Sequence, residues 1–354
     1  MNTGKTLILA IESSCDETAA AVVADGHEVL SNVVATQHEL HEEYRGVVPE
    51  IASRAHLERV LPVVRQALSE AGIRADQLDA VAAGTRPGLI GALLVGVSLA
   101  KAVAWSLSIP FLGVDHVEAH LLAGLLGDRE VTWPAVGLAV SGGHTSLHAM
   151  QGPLELERLG GTIDDAAGEA FDKAAMMLDL PYPGGPALDE LAERYEGELT
   201  TELPISLMKK SSLDFSFSGV KTAMLYAIRG KPRREDGRTI FERSVEALTP
   251  SQRMELAASF RSAVVSALMR KTSAALDQTG ARTVLAGGGV VANRLLRREL
   301  QSLAEERGLE LHLPGMAFCV DNAAMLAVSA HHRFLRGDRD PLTTTAQPTS
   351  RGRA

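Results

Sequence analysis

Cysteine is scarce in this chain of 354 residues. Cys15 and Cys319 cannot build a disulfide framework, so we expect both thiols to be reduced. A secretory signal is also missing, because residues 1–5 pass directly into a short strand-like run, Thr6 to Ile11, without a basic region followed by an apolar core. These absences predict a cytoplasmic protein.

Long uncharged hydrophobic runs are missing too. The most apolar stretch, Pro87 to Gly113, is interrupted by Lys101 and is rich in glycine, which favours a buried helix over a membrane span. A net charge of −9 argues against a surface that coats nucleic acid, although a local basic strip can still dock RNA. The composition, 45% hydrophobic and 22% charged, is ordinary for two folded lobes.

Two segments of the chain repeat one plan, in which an apolar strand is followed by a polar turn and a returning strand. Such an internal duplication predicts an α/β protein with two lobes that grip one phosphorylated ligand in the cleft between them. A third unit, a strand followed by the glycines 287–289 and a helix, offers further backbone amides to the ligand. The two repeated units are Thr6 to Ile11, the turn Glu12 to Thr18 and Ala19 to Val23, and then Val136 to Val140, the turn Ser141 to Thr145 and Ser146 to Met150.

The expected domain boundaries follow from these units. We predict an N-terminal lobe over residues 1–130 and a C-terminal lobe over 131–336, whose last helix can pack back on the N-terminal lobe. Residues 337–354 are polar and lack periodicity, so we expect a flexible tail there.

A histidine pair is the first candidate for chemistry. His116 and His120 are four residues apart, so on a helix they rise from one face, and the distant Asp321 can complete a set of two histidines and one carboxylate with open positions. A zinc peptidase needs a glutamate directly after the first histidine, whereas Glu118 is two residues on from His116, roughly 200° round the helix. The competing interpretation is that both histidines are ordinary polar helix residues.

Two carboxylates occupy the first turn. Asp16 and Glu17 either satisfy a tight hairpin or hold a ligand, and like charges so close repel each other unless a metal or a donor offsets them. We assign Asp16 to the catalytic step. A position across the cleft from the metal would let it orient the attacking amine or accept its proton.

Nucleotide-binding candidates lie in the second half. The turn Ser141 to Gly143 permits close backbone approach to a phosphate. Asp165, Glu169 and Asp172 have helical spacing and are predicted to share one helix side, where solvated charge is the alternative. A rigid turn follows and leads to Asp189, so Asp172 and Asp189 can accept hydrogen bonds from the two hydroxyls of a ribose.

In order and in residue type, these blocks resemble the universal tRNA threonylcarbamoyladenosine transferase family, in particular its bacterial TsaD branch. The resemblance covers nearly the whole chain. It rests on Ile11 to Thr18, Gly46 to Glu50, Pro87 to Leu89, His116 to His120, Val140 to Thr145, Ile163 to Lys173, Tyr182 to Pro186, Phe215 to Thr222, Gly287 to Arg294 and Asp321-Asn322.

The resemblance implies a fold of the actin, sugar-kinase and Hsp70 type with the active site in the interlobe cleft. It implies transfer of a threonylcarbamoyl group from threonylcarbamoyl-AMP to the N6 amine of the adenosine beside the anticodon, in tRNAs that read codons beginning with A. It assigns one divalent metal per subunit, iron(II) first and zinc as the alternative, to His116, His120 and Asp321. The positions that match nucleotide contacts are Ala139, Val140, Ser141, Gly142, Gly143, Asp172, Gly185, Asp189 and Asn293.

The partners implied by the resemblance are an inactive paralogue, a P-loop ATPase and a separate synthase that makes the adenylate. Two other function classes share the fold. A sugar or acetate kinase would use a carboxylate base and a loosely held magnesium, which prefers oxygen ligands over paired histidines. An Hsp70-like module would bind a nucleotide without any reaction on tRNA.

Overall fold

The computed structural model describes residues 4–127, 130–205, 212–235 and 238–349. Two five-stranded sheets dominate it, and each has three antiparallel strands extended by two parallel ones. When the strands are numbered within their own half of the chain, both sheets have the order 3-2-1-4-5. The predicted two-lobed, duplicated α/β architecture is therefore confirmed.

The first sheet forms the N-terminal lobe, and its strand order is β3-β2-β1-β4-β5. Every residue of β1 is buried, because helices cover both faces of this sheet. The elements of this lobe are β1 (Leu7–Glu12), β2 (Glu17–Ala24), β3 (Glu28–Thr36), α1 (His38–His41), α2 (Pro49–Glu70), β4 (Ala80–Arg86), α3 (Ile90–Leu107), β5 (Phe111–Asp115) and α4 (His116–Leu122).

The second sheet has the order β12-β11-β6-β7-β8 and carries the larger hydrophobic core. The remaining elements are β6 (Ala135–Val140), β7 (Thr145–Gly152), β8 (Glu155–Gly161), α5 (Ala167–Met177), α6 (Gly184–Glu193), α7 (Ser218–Arg229), β9 (Arg233–Glu235), β10 (Arg238–Ile240), α8 (Pro250–Thr279), β11 (Thr283–Gly287), α9 (Arg294–Arg307), β12 (Glu310–His312) and α10 (Ala324–Leu335).

The last helix, α10, lies far from the N-terminal lobe in sequence but packs on it. Its residues Ala324 and Leu326 belong to one buried cluster with Ile8 of β1, Ala82 of β4 and Leu112 of β5. Helices α2 and α3 cover the opposite face of the same sheet. The chain therefore returns to the first lobe at its end, which brings the segment just before α10 beside α4.

Two helices differ in extent from their prediction. Apolar residues at helical spacing predict a helix over Ala55 to Ala71, with a kink or a late start at Pro62, but α2 begins earlier, at Pro49. Pro49 occupies the first turn, where a missing amide costs nothing, and Pro62 lies inside the helix at a solvent-exposed position. The same spacing predicts a helix over Leu256 to Leu276, and α8 begins before it because Thr249 caps its start.

The C-terminal segment differs from the flexible tail that the sequence predicted. The Asp340 amide donates to the Phe111 carbonyl of β5, and the Asp340 carboxylate accepts from the Gly113 amide at 2.7 Å and pairs with Arg333 at 2.8 Å. Further along, the Gln347 amide donates to the Thr85 carbonyl at 2.8 Å. These bonds hold residues up to 348 along the edge strand of the first sheet; residues 350–354 lie outside the described residues.

By length and composition, α3 is apolar enough to cross a membrane. Its buried residues, among them Val95, Ala100 and Ala104, pack into the core beneath the first sheet. The sequence predicted a buried helix in this stretch, but α3 is buried on one face only, since Leu94 is 49% exposed and Trp105 is 74% exposed.

Candidate active site

Three predicted metal ligands meet between α4 and the loop before α10. Nε2 of His120 lies 3.1 Å from Oδ1 of Asp321, and Nε2 of His116 lies 3.5 Å from the same oxygen. The two imidazole rings stand nearly perpendicular, with centroids 4.5 Å apart. One nitrogen or oxygen atom from each residue lies within 4.8 Å of the others, so one ion can contact all three.

Local sequence fixes the start of α4. Asp115 ends β5 and caps the helix, since its Oδ1 accepts from the amide of Val117 at 3.0 Å. Arg86 holds the same carboxylate at 3.1 Å. Gly287 of β11 lies so close to the His120 carbonyl that a Cβ would meet its oxygen at 1.8 Å, so the third glycine turn packs directly against α4.

Glu12 orients the first histidine. It is fully buried at the end of β1, its Oε2 lies 3.0 Å from Nδ1 of His116, and its Oε1 accepts from the Ser14 amide. The Ser14 hydroxyl lies 3.3 Å from the same Nδ1. With Nδ1 held as a donor, Nε2 of His116 is left for a metal, which is the usual arrangement of a histidine ligand with a carboxylate behind it.

Charge in this cluster is strongly coupled. Burial alone would lower the pKa of His116, but the carboxylates of Asp321 and Glu12 raise it well above its usual value. Burial alone would raise the pKa of Asp321, but His116 and His120 hold it well below its usual range. Burial and the neighbouring His116 lower the pKa of His120. The protein groups alone therefore favour an ionised Asp321, a charged His116 and a neutral His120, and a cation bound at Nε2 of His116 would displace the proton from that nitrogen.

This donor set fits a divalent transition metal. Two imidazole nitrogens and one carboxylate oxygen, with further positions open, are the ligands that iron(II) and zinc accept. Nδ1 of His120 is buried and has no hydrogen-bond partner among the described residues, so this ring lacks the acceptor on its far side that Glu12 provides for His116. The residues present are consistent with the implied metal.

The turn between β1 and β2 brings the predicted catalytic carboxylate close to this cluster. Asp16 is only 7% exposed, and Nε2 of His38 lies 3.9 Å from its Oδ2 and 3.2 Å from Oε1 of Glu17. Burial raises the pKa of Glu17 to about 8; the hydrogen bond from His38 opposes this shift, and the carboxylates of Asp321 and Asp16 add to it. Sequence reasoning expected Asp16 across the cleft from the metal, but it belongs to the same lobe as both histidines.

In the second lobe, the turn between β6 and β7 corresponds to the turn between β1 and β2, but it offers backbone groups rather than charged side chains to a ligand. Gly142 and Gly143 are exposed, and a Cβ on either would meet nothing within 4 Å, so a ligand can approach both. Ser141 closes the turn, because its amide donates to the His144 carbonyl at 2.8 Å. Ala139 and Val140 are buried in β6, so only their backbone is available to a ligand.

Asp172 caps the start of α6. Its Oδ1 accepts from the amides of Gly184 at 2.9 Å and Gly185 at 3.1 Å. Burial raises the pKa of Asp172, although these two amides act in the opposite direction. This carboxylate is thus fixed in place while its second oxygen stays available to a ligand hydroxyl.

Asp189 is more heavily engaged than the sequence suggested. Its Oδ1 accepts from Nη1 of Arg261 and from Nδ2 of Asn293, both at 2.9 Å, and its Oδ2 accepts from the Arg294 amide at 3.3 Å. Oδ1 of Asn293 in turn accepts from the Leu296 amide and caps α9. Asp189 and Asn293 therefore form one buried polar unit that joins α6 to α9.

One sequence interpretation is wrong in detail. Asp165 does not share a helix side with Glu169 and Asp172, because α5 begins at Ala167; its carboxylate pairs with Lys173 at 3.0 Å and with Lys221. In the glycine turn before α9, a Cβ on Gly288 would meet the Val140 carbonyl oxygen at 2.3 Å, whereas a Cβ on Gly289 would meet nothing within 4 Å.

Sequence reasoning missed two residues of the site. Glu12 belongs to the Ile11 to Thr18 motif, but its role was not predicted from the sequence. The signal available was an acidic residue at the end of an otherwise apolar strand. His38 carried no signal, because only the fold brings α1 beside the β1–β2 turn.

Comparison with known proteins gives a consistent family. The family model described as "TsaD: tRNA N6-adenosine threonylcarbamoyltransferase" matches residues 28–328. A protein of that name from Geotalea uraniireducens is 50% identical over 322 residues, covering 91% of this chain and 90% of the relative. Another, from Trichlorobacter lovleyi, is 48% identical over 344 residues, covering 97% and 96%.

Solved structures support the fold alone. HypF of T. kodakarensis aligns with a TM-score of 0.61 at 17% identity, covering 94% of this chain and 48% of that chain. Component A of the Acidaminococcus fermentans (R)-2-hydroxyglutaryl-CoA dehydratase aligns with a TM-score of 0.52 at 14% identity, covering 93% and 98%. With two matching lobes and close relatives of one name, the chain belongs to the TsaD family of tRNA N6-adenosine threonylcarbamoyltransferases and is a transferase that forms N6-threonylcarbamoyladenosine in tRNA.

Proposed function

We propose that threonylcarbamoyl-AMP is the donor and that the acceptor is the adenosine beside the anticodon, in tRNAs that read codons beginning with A. One observation carries the proposal. A set of two histidines and one carboxylate, with its ligand atoms within 4.8 Å of one another, lies close to the carboxylate-rich turn of the first lobe. Acyl transfer from a mixed anhydride needs these elements: stabilisation of charge on oxygen and acceptance of a proton.

The reaction forms one bond and breaks another. The N6 amine of adenosine attacks the carbamoyl carbon, the new C–N bond forms, and the C–O bond to the phosphate breaks so that AMP leaves with the electron pair. The amine proton passes to a carboxylate, for which Asp16 is our choice. Its burial and the neighbouring His38 support this role, because a buried carboxylate near a second ionisable group can exchange a proton.

Donor binding is assigned to the second lobe. Ser141, Gly142 and Gly143 offer an open turn to the phosphate, and the backbone of Ala139 and Val140 leads into it. Asp172, fixed by the Gly185 amide, accepts from one ribose hydroxyl. Asp189 with Asn293 forms the polar support beyond it.

One divalent metal per subunit is held by His116, His120 and Asp321, with iron(II) as the native ion and zinc as the alternative. When bound, it supplies a Lewis acid for the donor's phosphate or carbamoyl oxygen. Glu12 orients the first of these ligands from behind. Metal analysis of protein purified without oxygen, followed by reconstitution with each ion, distinguishes iron from zinc.

The proposed partners are the inactive paralogue and the P-loop ATPase, in the cytoplasm. The first lobe exposes Leu57 and Leu61 on α2 and Ile90 and Leu94 on α3, which supports docking of a protein there. Co-elution of the chain with the purified paralogue in gel filtration tests this contact.

Mass spectrometry of tRNA nucleosides tests the function. The chain and its partners, given preformed threonylcarbamoyl-AMP and unmodified tRNA, should yield N6-threonylcarbamoyladenosine at one position of the anticodon loop. The same reaction without the adenylate but with threonine, bicarbonate, ATP and the synthase should give the same product. Product in the second reaction and none in the first would exclude the free adenylate as donor.

A further inference from the structure

We propose that the open cavity between the two lobes, formed by residues 42–45 on one side and 172–184 on the other, receives the adenine base of the acceptor nucleotide in tRNA. The cavity has a volume of about 380 Å³, within the usual range of small-ligand sites. The inference rests on the proposed function and assigns a place to the second substrate. Asp172 belongs to the wall of this cavity and to the proposed ribose site.

The lining suits a purine. Met176, Leu180 and Pro181 supply apolar surface, and Tyr182 supplies an aromatic ring. Bases that an enzyme takes out of a stack are usually held between aromatic or apolar side chains, with polar groups at their edge. Met176 is 43% exposed and its flexible thioether can adapt to a flat ring.

The cavity leads to the carboxylates of the first lobe. The Tyr182 ring stands edge-on to the His38 ring with centroids 5.9 Å apart, and Nε2 of His38 lies 3.2 Å from Glu17 and 3.9 Å from Asp16. A base resting on Tyr182 is therefore separated from the proposed proton acceptor by a single side chain. The exocyclic amine of a base held there would lie on the side of the cavity that faces Asp16, where the proposed reaction requires it.

Charge argues for the acceptor rather than the donor. The charged residues of the cavity wall are Glu42, Asp172, Asp179 and Arg45, three acidic groups and one basic group. Such a wall repels the phosphate that the donor carries, whereas a neutral base with an exocyclic amine finds hydrogen-bond acceptors there.

The mouth of the cavity offers a contact for the tRNA backbone. Arg45 pairs with Asp179 at 3.7 Å, and both side chains are more than half exposed. Exposed pairs of this kind are weak, so the guanidinium can turn to a phosphate of the incoming strand without disturbing the fold. The pair also lies between the lobes, since Arg45 belongs to the first and Asp179 to the second.

Two pairs of variants test the proposal in the full chain with its metal and partners. Tyr182→Ala removes the ring and Tyr182→Phe keeps it. Met176→Glu places a charge in the cavity, and Leu199→Glu places the same charge at a side chain of equal exposure, 43%, outside the cavity wall. The KM for tRNA, kcat and the dissociation constant of the donor are measured for each.

We expect Tyr182→Ala and Met176→Glu to raise the KM for tRNA about fivefold or more, the low end of base–aromatic stacking, with donor affinity within about twofold of wild type. Tyr182→Phe and Leu199→Glu should leave both constants near wild type. Wild-type KM for tRNA in both cavity variants, or weakened donor binding with an unchanged KM, would overturn the proposal. Absence of transfer by the wild-type protein would instead contradict the proposed function.

Binding alone gives a second measurement. A tRNA with 2-aminopurine at the acceptor position should change its fluorescence when it binds the wild type and Tyr182→Phe, because the base leaves its stack and rests on a ring. Tyr182→Ala should bind the tRNA with a different fluorescence. An identical signal in all three proteins would place the base elsewhere.

Discussion

Replacing Glu12 with glutamine isolates the part of metal binding that depends on ligand orientation. The Glu12 carboxylate accepts twice, from the Ser14 amide through Oε1 and, at 3.0 Å, from Nδ1 of His116, a proposed metal ligand, through Oε2. An amide has one acceptor and one donor, so in either orientation of Glu12→Gln one donor faces another. The side chain is fully buried, and no water can relieve the conflict at low cost.

The expected magnitude follows from the position of Glu12 behind the ligand. Changes to groups that orient metal ligands usually cost 10- to 100-fold in affinity, which is about 1.4 to 2.7 kcal/mol. Lost charge acts in the same direction, because a buried carboxylate near the site favours a cation. We therefore expect Glu12→Gln to stay folded and to bind metal at least tenfold more weakly.

The assay is competition for zinc or iron(II) against a chelator of known affinity, with circular dichroism to monitor folding. Glu299→Gln, a change of the same chemistry at an exposed position of α9, serves as the control. A folded Glu12→Gln protein that binds metal as tightly as this control would refute the role of Glu12.

Five further substitutions test other groups. His116→Ala and His120→Ala should each remove stoichiometric metal, and full metal content with full transfer in both would show that the ligand assignment is wrong. Asp189→Ala should weaken adenine-nucleotide affinity by about 1 to 3 kcal/mol, measured by calorimetry; an unchanged affinity would limit Asp189 to joining α6 and α9. Asp16→Asn should keep nucleotide binding and lower transfer at least tenfold, about 1.4 kcal/mol, whereas wild-type rates would leave Asp16 structural. Burial, together with the positive charge of Arg158, lowers the pKa of His148 to about 4. Between about pH 6.5 and pH 4 this histidine is therefore protonated in the unfolded chain and neutral in the folded chain. This group should lower the free energy of unfolding by about 2 kcal/mol from pH 7 to pH 5. In urea unfolding, the free energy of unfolding of His148→Gln should decrease by about 2 kcal/mol less than that of the wild type over the same pH range.

The sheets could be predicted because both repeated units carry their signal locally. In β1 and β6 every residue is buried, and each strand reads as an apolar run, with Glu12 at the end of β1 as the exception; the turns that follow are polar or glycine-rich. Helix ends were harder to predict. Pro49 and Pro62 look alike in the sequence, yet one begins α2 and the other lies within it, and only the solvent exposure of the second explains its tolerance.

The candidate site was predictable where spacing determines it. His116 and His120 share a helix face through their spacing of four, which any helix imposes. Asp321 lies about two hundred residues away and reaches them because α10 packs on the first lobe, a tertiary contact that periodicity does not encode. Its selection from the sequence depended on the family resemblance.

Glu12 and His38 show what local reasoning cannot supply. Each acts through a neighbour that is distant in the chain, Glu12 through α4 and His38 through both the first turn and Tyr182 of the second lobe. The same limit affects Gly288, which has a positive φ of 104° and lies against the Val140 carbonyl, a neighbour that its place in a glycine turn does not predict.

The duplication explains why the metal candidate lies between the lobes. In the first half, the outermost parallel strand, β5, leads directly into α4 and its two histidines; in the second half, the equivalent strand, β12, leads through Asp321 into α10. The three side chains thus come from equivalent places in the two halves, although their chemistry differs. Because one half supplies only imidazoles and the other only a carboxylate, neither half can hold the ion alone. An ion bound there would therefore connect the two halves of the chain.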